Sequence, residues 1–248
     1  MKILVCISHV PDTTSKINFT DDDTKFDTNG VQYIINPNDE FGLTRAMWFK
    51  EKQGATVDVV NVGGKETEPT LRKALAIGAD SAIRVDTPAQ DSYQVAQNLA
   101  KVAKEGNYDL IIAGKESIDY NGGVVPGILA KLIGVNFVNM CIGLEVADEK
   151  ATVIREIDGG KETLTSTLPL VVAGQKGIVE EDDLKIPNMR GIMMARKKPL
   201  TVVEAENVAP KTSIVKFEKP APKGAVKMID PEHLDELVEL LHNDAKAI

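Results

Sequence analysis

The sequence predicts an α/β protein with a doubly wound, mostly parallel sheet, antiparallel additions to that sheet and an extended C-terminal arm. Three observations support this prediction. Apolar strand-like segments alternate regularly with helical segments as far as residue 135, which is typical of consecutive βαβ units. From residue 137 the helical pattern stops and strand-like segments follow one another. Beyond residue 200 the chain offers few core residues and contains a proline-rich linker.

Strands and helices alternate in the first half of the chain. The predicted strands cover residues 2–7, 31–35, 56–62, 81–85 and 110–113. The predicted helices cover residues 39–52, 67–77, 92–105 and a small-residue segment that ends at Gly134. Asn36 or Asn38 is placed to cap the first helix, and Pro11 should stop further pairing of the first strand. The polar residues between them, 13–30, are expected to form an excursion with at most a short hairpin.

The second half is expected to extend the sheet and then leave it. Strand-like segments at residues 137–146, 151–157, 162–168 and 170–173 are interpreted as antiparallel additions, with Pro169 as the break between the last two. The acidic run 180–183 and the basic run 196–198 are expected to be solvated loops. An amphipathic helix at 231–241 ends the arm, and its apolar face needs a surface on the same domain or on a partner subunit.

The composition argues against several classes of protein. A net charge of -8 leaves no cationic surplus for a general nucleic-acid binder. No apolar run approaches the roughly 20 residues that cross a bilayer, and the apolar start is too short for a secretory leader, so we expect a cytoplasmic protein without direct membrane insertion. Cys6 and Cys141 are far apart and the 3 histidines are scattered, so the sequence predicts no zinc site.

The ends of several predicted strands should meet at one edge of the sheet. Residues 6–12, 35–40, 62–65 and 114–123 follow apolar strands, and ligands of such sheets bind beyond the carboxyl ends of the strands. Within the last of these segments, Gly122 and Gly123 precede a helix, where backbone amides and the helix dipole favour phosphate oxygens. Glycine pairs also occur in loops that only turn the chain, so the pair alone leaves both interpretations open.

Five motifs resemble the β subunit of electron-transfer flavoprotein, and together they cover nearly the whole chain in order. The motifs are IINPNDEFGL (residues 34–43), TLRKALAIGAD (70–80), DLIIAGKESID (109–119), IREIDGGKETL (154–164) and IPNMRGIMMARKK (186–198). The resemblance implies a Rossmann-like, adenine-nucleotide-binding domain over residues 1–200, with a recognition loop at 183–198. From the proline-rich linker and the apolar helix we predict that the arm over 201–248 packs on the partner subunit.

The resemblance also implies a function. A β subunit of this family forms a heterodimer with a larger α subunit, which holds most of the FAD. The complex carries electrons from acyl-CoA dehydrogenases and related enzymes to a membrane quinone oxidoreductase, and the β subunit holds an AMP with a structural role. The chemistry would belong to the flavin, so we expect no catalytic residues in this chain.

Carried over to this sequence, the family's nucleotide contacts fall on the predicted strand ends. They are Cys6, Asn36, Pro37, Asn38, Asp39, Val62, Gly114, Ser117, Asp119, Tyr120, Asn121, Gly122, Gly123, Val124 and Val125. The chain departs from the family where many members carry polar side chains at the positions of residues 122–125, which leaves recognition to backbone amides.

Two further residues are implied to contact partners. Glu156 matches a glutamate that meets an arginine of the α subunit near the flavin, and Ile186 matches the apolar anchor of the recognition loop. An apolar side chain flanked by charge suits transient docking. Two residues near Arg190 and Gly191 are inserted relative to some members, and Thr13 stands where some place an aromatic over the flavin edge.

Alternative functions remain at this stage. Some relatives replace AMP by a second FAD and bifurcate electrons, and residues 10–13 resemble those members. An ATP-using or ATP-sensing domain of the same fold belongs to a different class, but the chain has no SGGxDS-type pyrophosphate loop. A purely structural interaction domain would not require four converging loop motifs.

Overall fold

A nine-stranded sheet organises the protein, and the computed structural model describes residues 1–248. In chain order the strands are β1 (Lys2–Cys6), β2 (His9–Pro11), β3 (Phe19–Thr20), β4 (Lys25–Phe26), β5 (Tyr33–Ile35), β6 (Thr56–Val62), β7 (Ser81–Asp86), β8 (Leu110–Gly114), β9 (Asn136–Ala147), β10 (Lys150–Ile157), β11 (Gly160–Thr167), β12 (Leu170–Gly174) and β13 (Leu200–Glu204). The α-helices are α1 (Pro37–Gln53), α2 (Glu68–Ile77), α3 (Ser92–Gly106), α4 (Val125–Ile133), α5 (Met189–Ala195) and α6 (Leu234–Glu239).

The strand order confirms the predicted fold class. The sheet runs β11-β10-β9-β12-β8-β1-β6-β7-β13, and every pair from β9 to β13 is parallel. Only β10 and β11 run antiparallel to their neighbours. Crossover connections through helices on both faces of the sheet explain this mostly parallel arrangement.

The prediction that all four segments after residue 137 are antiparallel was wrong for β12 and held on only one side of β9, which is antiparallel to β10 and parallel to β12. β12 lies between β8 and β9 and is parallel to both. All five residues of β12 are buried. A strand covered on both faces reads as a continuous apolar run, which is typical of the centre of a parallel sheet. Its place in the middle of the sheet depends on pairing with β8, which lies far away in sequence.

The expected end of strand pairing at Pro11 is confirmed, although Pro11 ends a separate short strand, β2, and not β1. Pro11 faces Tyr33 in the short antiparallel ladder formed by β2 and β5. Each strand of a two-stranded ladder has a free edge, and proline is tolerated there because no hydrogen bond is required of its nitrogen on that side. The predicted short hairpin within residues 13–30 is confirmed by β3 and β4.

Two apolar clusters cover the two faces of the sheet. Alternate residues of β1 divide between them, with Ile3 and Val5 in the cluster that includes α1 and α2, and Leu4 in the cluster that includes α3 and α4. Since side chains of a strand point alternately to opposite faces, this division shows that the sheet is covered on both sides. The carboxyl ends of β1, β6 and β8 lead into the loops that line the candidate site.

The last part of the chain leaves the sheet after β13. This strand begins at Leu200 and pairs with β7, so the first residues of the predicted arm belong to the sheet. The division into domain and arm at residue 200 stays a prediction. The basic run is not simply solvated, since Lys198 Nζ donates to the carbonyls of Leu75 (3.0 Å) and Ala79 (2.5 Å) at the end of α2. No residue from 196 to 248 is buried. None of the helices combines the length and apolar character needed to cross a membrane.

Candidate functional site

One cavity of about 550 Å³ lies at the edge where the predicted strand ends meet. It receives residues from all four predicted segments, and its size suits a small organic ligand. The predicted site residues that line it are Cys6, Asp39, Val62, Gly114, Ser117, Asp119, Tyr120, Gly122, Gly123 and Val125. Asn36, Pro37, Asn38, Asn121 and Val124 are outside its lining.

Asn36 and Asn38 shape the loop that follows β8 instead of lining the cavity. Asn36 Nδ2 donates to the carbonyl of Glu116 (2.9 Å), and its Oδ1 accepts from the amide of Ile118 (3.2 Å). Asn38 Nδ2 donates to the same Glu116 carbonyl (3.1 Å). Neither side chain caps α1, which corrects the expected capping role. The sequence NPN thus connects the start of α1 to a loop about 80 residues later in the chain.

Asp39 joins the ends of two central strands beneath the cavity. Its Oδ2 accepts from the amide of Ser8 and its Oδ1 from the amide of Gly114, each at 2.7 Å, and the residue is 2% exposed. We refer to Asp39, Ser8 and Gly114 as the Asp39 cluster. A side chain at Gly114 would begin 2.5 Å from Asp39 Oδ1, so this close approach requires glycine. The cluster therefore sets the relative position of β1 and β8 at the cavity.

Burial changes the protonation of two groups in the cavity wall. Burial raises the pKa of Asp39 to about 7, although the amides of Ser8 and Gly114 act to lower it. Burial, and then the charge of Asp39, raises the pKa of the Cys6 thiol far above its ordinary value. Because the thiolate is the reactive form, Cys6 is an inert lining residue at neutral pH.

The loop before α4 presents free backbone donors. The amides of Gly122 and Gly123 donate to no acceptor within the protein, and both residues line the cavity. Gly123 has a φ of 62°, which favours glycine, and the next residues begin α4, with Pro126 in its first turn. Free amides together with a helix N-terminus favour an anionic group such as a phosphate.

Sequence reasoning missed two parts of the cavity wall. One part follows β7 and consists of residues 88–92, and the other comes from Thr212, Ser213 and Ile214 of the arm. The first part had a usable signal, because β7 is the parallel neighbour of β6 and its carboxyl end faces the same edge. The arm residues carry no motif, and only the folded chain brings them to the cavity.

His9, within the predicted segment 6–12, also lines the cavity. Its ring stacks on Tyr33 with centroids 4.2 Å apart and an interplanar angle of 6°, and Nδ1 lies 2.7 Å from Thr70 Oγ1. Burial lowers the pKa of His9, while the charge of Glu66 acts to raise it. Packing and a hydroxyl partner therefore hold a mainly neutral imidazole in a fixed orientation.

The two predicted partner-contact residues lie outside the cavity wall. Glu156 Oε2 accepts a hydrogen bond from Gln175 Nε2 (2.5 Å), so this glutamate has a partner within its own chain. Ile186 is 82% exposed, and the following helix α5 exposes Met189 and Met193. The residues interpreted as inserted, near Arg190 and Gly191, form the first turn of α5, which Asn188 caps through the amide of Gly191 (2.7 Å).

The cavity wall combines polar and apolar groups. No group of three or more His, Cys, Asp and Glu side chains is placed to hold a metal ion. The polar features of the cavity include the free amides of the glycine loop, and its apolar walls include Val62, Val125 and Leu99. Such a site suits a ligand with an anionic end and a flat, less polar body.

Comparison with known proteins identifies relatives over the whole chain. The family model described as electron transfer flavoprotein domain matches residues 23–208. The chain is 35% identical to the electron transfer flavoprotein subunit beta of Bacillus subtilis, over 100% of both chains. It is 37% identical to the protein of the same name from Syntrophomonas wolfei, over 94% of this chain and 91% of the relative. It is 33% identical to that of Bos taurus, over 94% and 95%.

Proposed function

This chain belongs to the electron transfer flavoprotein family as a β subunit, and from that membership we propose that it forms one half of a heterodimeric electron carrier. The larger α subunit would hold most of the FAD, and this chain would hold an AMP with a structural role. The complex would receive electrons from acyl-CoA dehydrogenases and related enzymes, as in fatty acid oxidation. It would deliver them to a membrane quinone oxidoreductase, while the carrier itself works in the cytoplasm.

The free amides of Gly122 and Gly123 carry the proposal of AMP. They lie in the cavity at the start of α4, where a phosphate would gain two backbone donors and the favourable end of a helix dipole. Buried walls at Cys6, Val62 and Leu99 suit the less polar part of the nucleotide. Recognition through backbone amides fits the loss of polar side chains at residues 122–125.

The proposed contribution of this chain to electron transfer is structural. Cys6 is a protonated thiol, and His9 is held by Tyr33 and Thr70, so neither suggests catalysis by side chains. The flavin would supply the redox chemistry. Residues of this chain would bind AMP, complete the flavin crevice and contact the partner enzymes.

Two surfaces would contact the partner proteins. The Glu156 carboxylate, held by Gln175, would meet a cationic side chain of the α subunit. Ile186 would enter an apolar pocket on a dehydrogenase, with the flexible side chains of Met189 and Met193 adapting to different partners. The acidic residues 180–183 and the basic residues 196–198 flank this loop and would steer encounter.

A second FAD in place of AMP is the alternative that one observation favours. The cavity continues to His9, whose ring is stacked on Tyr33 and extends a flat aromatic surface beside it. A flavin ring has a flat surface of the same kind. With a second FAD in this cavity, the protein would be the β subunit of a bifurcating electron carrier.

The decisive experiment is to identify the bound cofactors. The chain is co-expressed with its α subunit, the purified complex is denatured, and the released FAD and AMP are quantified by chromatography. One FAD and one AMP per heterodimer support the proposal. Two FAD without AMP would establish the bifurcating alternative. ATP without flavin would contradict the proposed role in an electron carrier.

A matched pair of glycine variants tests the position of the nucleotide. Gly122→Leu places a side chain next to Ser92 in the cavity and should abolish AMP retention while FAD content is unchanged. Gly160→Leu is the control, because this glycine lies at the start of β11 with open space around it. Retention of AMP by the Gly122→Leu complex would place the phosphate elsewhere.

A further inference from the structure

Part of the cavity wall belongs to the arm and not to the sheet domain. Thr212, Ser213 and Ile214 line the same cavity as Gly122 and Gly123. We refer to residues 211–217 as the strap. No residue from 211 to 216 is buried, and the strap contains no helix or strand. It therefore forms an outer wall of the cavity with solvent on its other side.

One carboxylate fixes the first end of the strap. Asp91 Oδ2 accepts from the amides of Lys211 (2.5 Å) and Thr212 (2.9 Å). The other oxygen, Oδ1, accepts from the amide of Gln94 (2.7 Å) and caps α3. The two oxygens of Asp91 thus have separate partners, one within the helix and one within the strap.

An aromatic pair fixes the other end. Phe217 stacks on Phe19 with centroids 4.7 Å apart and an interplanar angle of 4°, and its amide donates to the carbonyl of Asp23 (2.7 Å). Four residues lie between Thr212 and Phe217. The five chain steps that join these two residues span at most about 18 Å. The strap is therefore attached at both of its ends, and it lines the cavity between these attachments.

The first attachment lies beside the glycine loop. Ser92, the residue after Asp91, has its Oγ 3.4 Å from the position that a Cβ of Gly122 would occupy. The strap contributes no buried apolar side chain near this point, so hydrogen bonds to Asp91 provide most of its hold there. Segments held by few exposed hydrogen bonds open locally far more readily than a buried sheet does.

We propose that the strap closes the nucleotide cavity and that Asp91 is the positioning residue that keeps it closed. The inference rests on the proposed function, because it requires a nucleotide in this cavity. Ligand would enter and leave when the amides of Lys211 and Thr212 separate from Asp91 Oδ2. Loss of that oxygen should accelerate nucleotide release without changing the sheet that forms the rest of the site.

Asp91→Ser separates the two roles of this residue. Serine is as good a helix N-cap as aspartate, so the variant keeps α3 capped while it removes the oxygen that holds the strap. Lys101→Met is the matched control. Lys101 Nζ donates to the carbonyl of Glu204 (3.1 Å), so this variant removes another contact between α3 and the arm at a place outside the cavity wall.

The test measures AMP release from the heterodimer of the full chain with its α subunit. The complex is loaded with radiolabelled AMP and chased with unlabelled AMP. Because hydrogen bonds to a charged group are lost, we expect release from Asp91→Ser to be ~10-fold or more faster than from the wild type. Release from Lys101→Met should stay within ~2-fold of the wild type, because its lost contact lies outside the cavity wall. Equal rates for Asp91→Ser and wild type, at equal melting temperature, would overturn the proposal.

A second measurement follows the strap directly. Limited trypsin digestion should cut after Lys211 and Lys216 faster in Asp91→Ser than in the wild type, and added AMP should slow these cuts in the wild type. Cleavage that AMP does not change, in a complex shown to bind AMP, would show that the strap is not a cover. A wild-type complex that binds no adenine nucleotide would instead contradict the proposed function, and digestion without nucleotide would still decide whether Asp91 anchors the strap.

Discussion

The Asp39 cluster and the arm are both attached to the cavity, but they are held in different ways. Asp39 is 2% exposed and receives two amides from strand ends at 2.7 Å each. The arm has no buried residue after 196 and reaches the cavity through exposed hydrogen bonds and one aromatic stack. The buried cluster is positioned by the domain itself, whereas the arm depends on a few contacts and on any surface that a partner supplies.

The two kinds of attachment distinguish the fixed part of the site from the part that can open. Removing a buried partner leaves the remaining polar groups without water, and the cost appears as lost stability. Removing an exposed contact costs little, because water replaces it. The cluster should therefore control the folding of the domain, and the arm should control exchange and assembly.

The largest effect on stability is expected from Asp39→Ala. The variant leaves the amides of Ser8 and Gly114 buried without acceptors and creates a small cavity. We expect the free energy of unfolding to fall by roughly 3 kcal/mol at pH 6. Urea unfolding of the nucleotide-free chain measures this change. Asp119→Ala, which removes an exposed carboxylate at the same cavity, should change the stability by less than about 0.5 kcal/mol, and an equal loss in both variants would refute the distinction.

The pH dependence of the same site gives a smaller effect for each pH unit. Burial raises the pKa of Asp39 from the ordinary 3.8 to about 7, so the native chain binds more protons than the unfolded chain between these values. The contribution to stability is complete below the ordinary pKa and is lost as the pH rises through about 7. Relative to the non-titrating variant Asp39→Asn, the wild type should lose at most about 1.4 kcal/mol per pH unit within that window. A flat difference between the two proteins from pH 5 to pH 8 would contradict the raised pKa.

The smallest effect on the stability of the chain is expected from the arm. Deleting residues 220–248 removes no buried residue and leaves the attachments of Phe217 and Asp91 in place. Unfolding of the isolated chain should therefore change by less than about 1 kcal/mol.

The same deletion should have a larger effect on assembly with the α subunit than on the stability of the isolated chain. Leu234 and Val238 of α6 are 59% and 53% exposed, so this helix has an apolar face without a partner in its own chain. The deletion should weaken the heterodimer, measured as earlier dissociation on dilution in size-exclusion chromatography. Unchanged assembly would mean that the arm serves only its own subunit.

Local patterns in the sequence determined the alternating strands and helices, the doubly wound class and the convergence of Cys6, Asp39, Val62 and Gly114 at one edge. These features follow from apolar periodicity and from the rule that ligands lie beyond the carboxyl ends of parallel strands. The motifs also determined the family, because five segments in the same order are far more specific than one glycine loop.

Several features depend on contacts between residues that are distant in sequence, and these features appear only in the tertiary structure. The parallel placement of β12 depends on its pairing with β8, and the capping role expected for Asn36 was replaced by hydrogen bonds to the loop after β8. The contribution of Thr212 to the cavity depends on Asp91, 121 positions earlier in the chain. Local propensity and periodicity describe neighbours in sequence, whereas these contacts form only when the folded sheet brings separate segments to one edge.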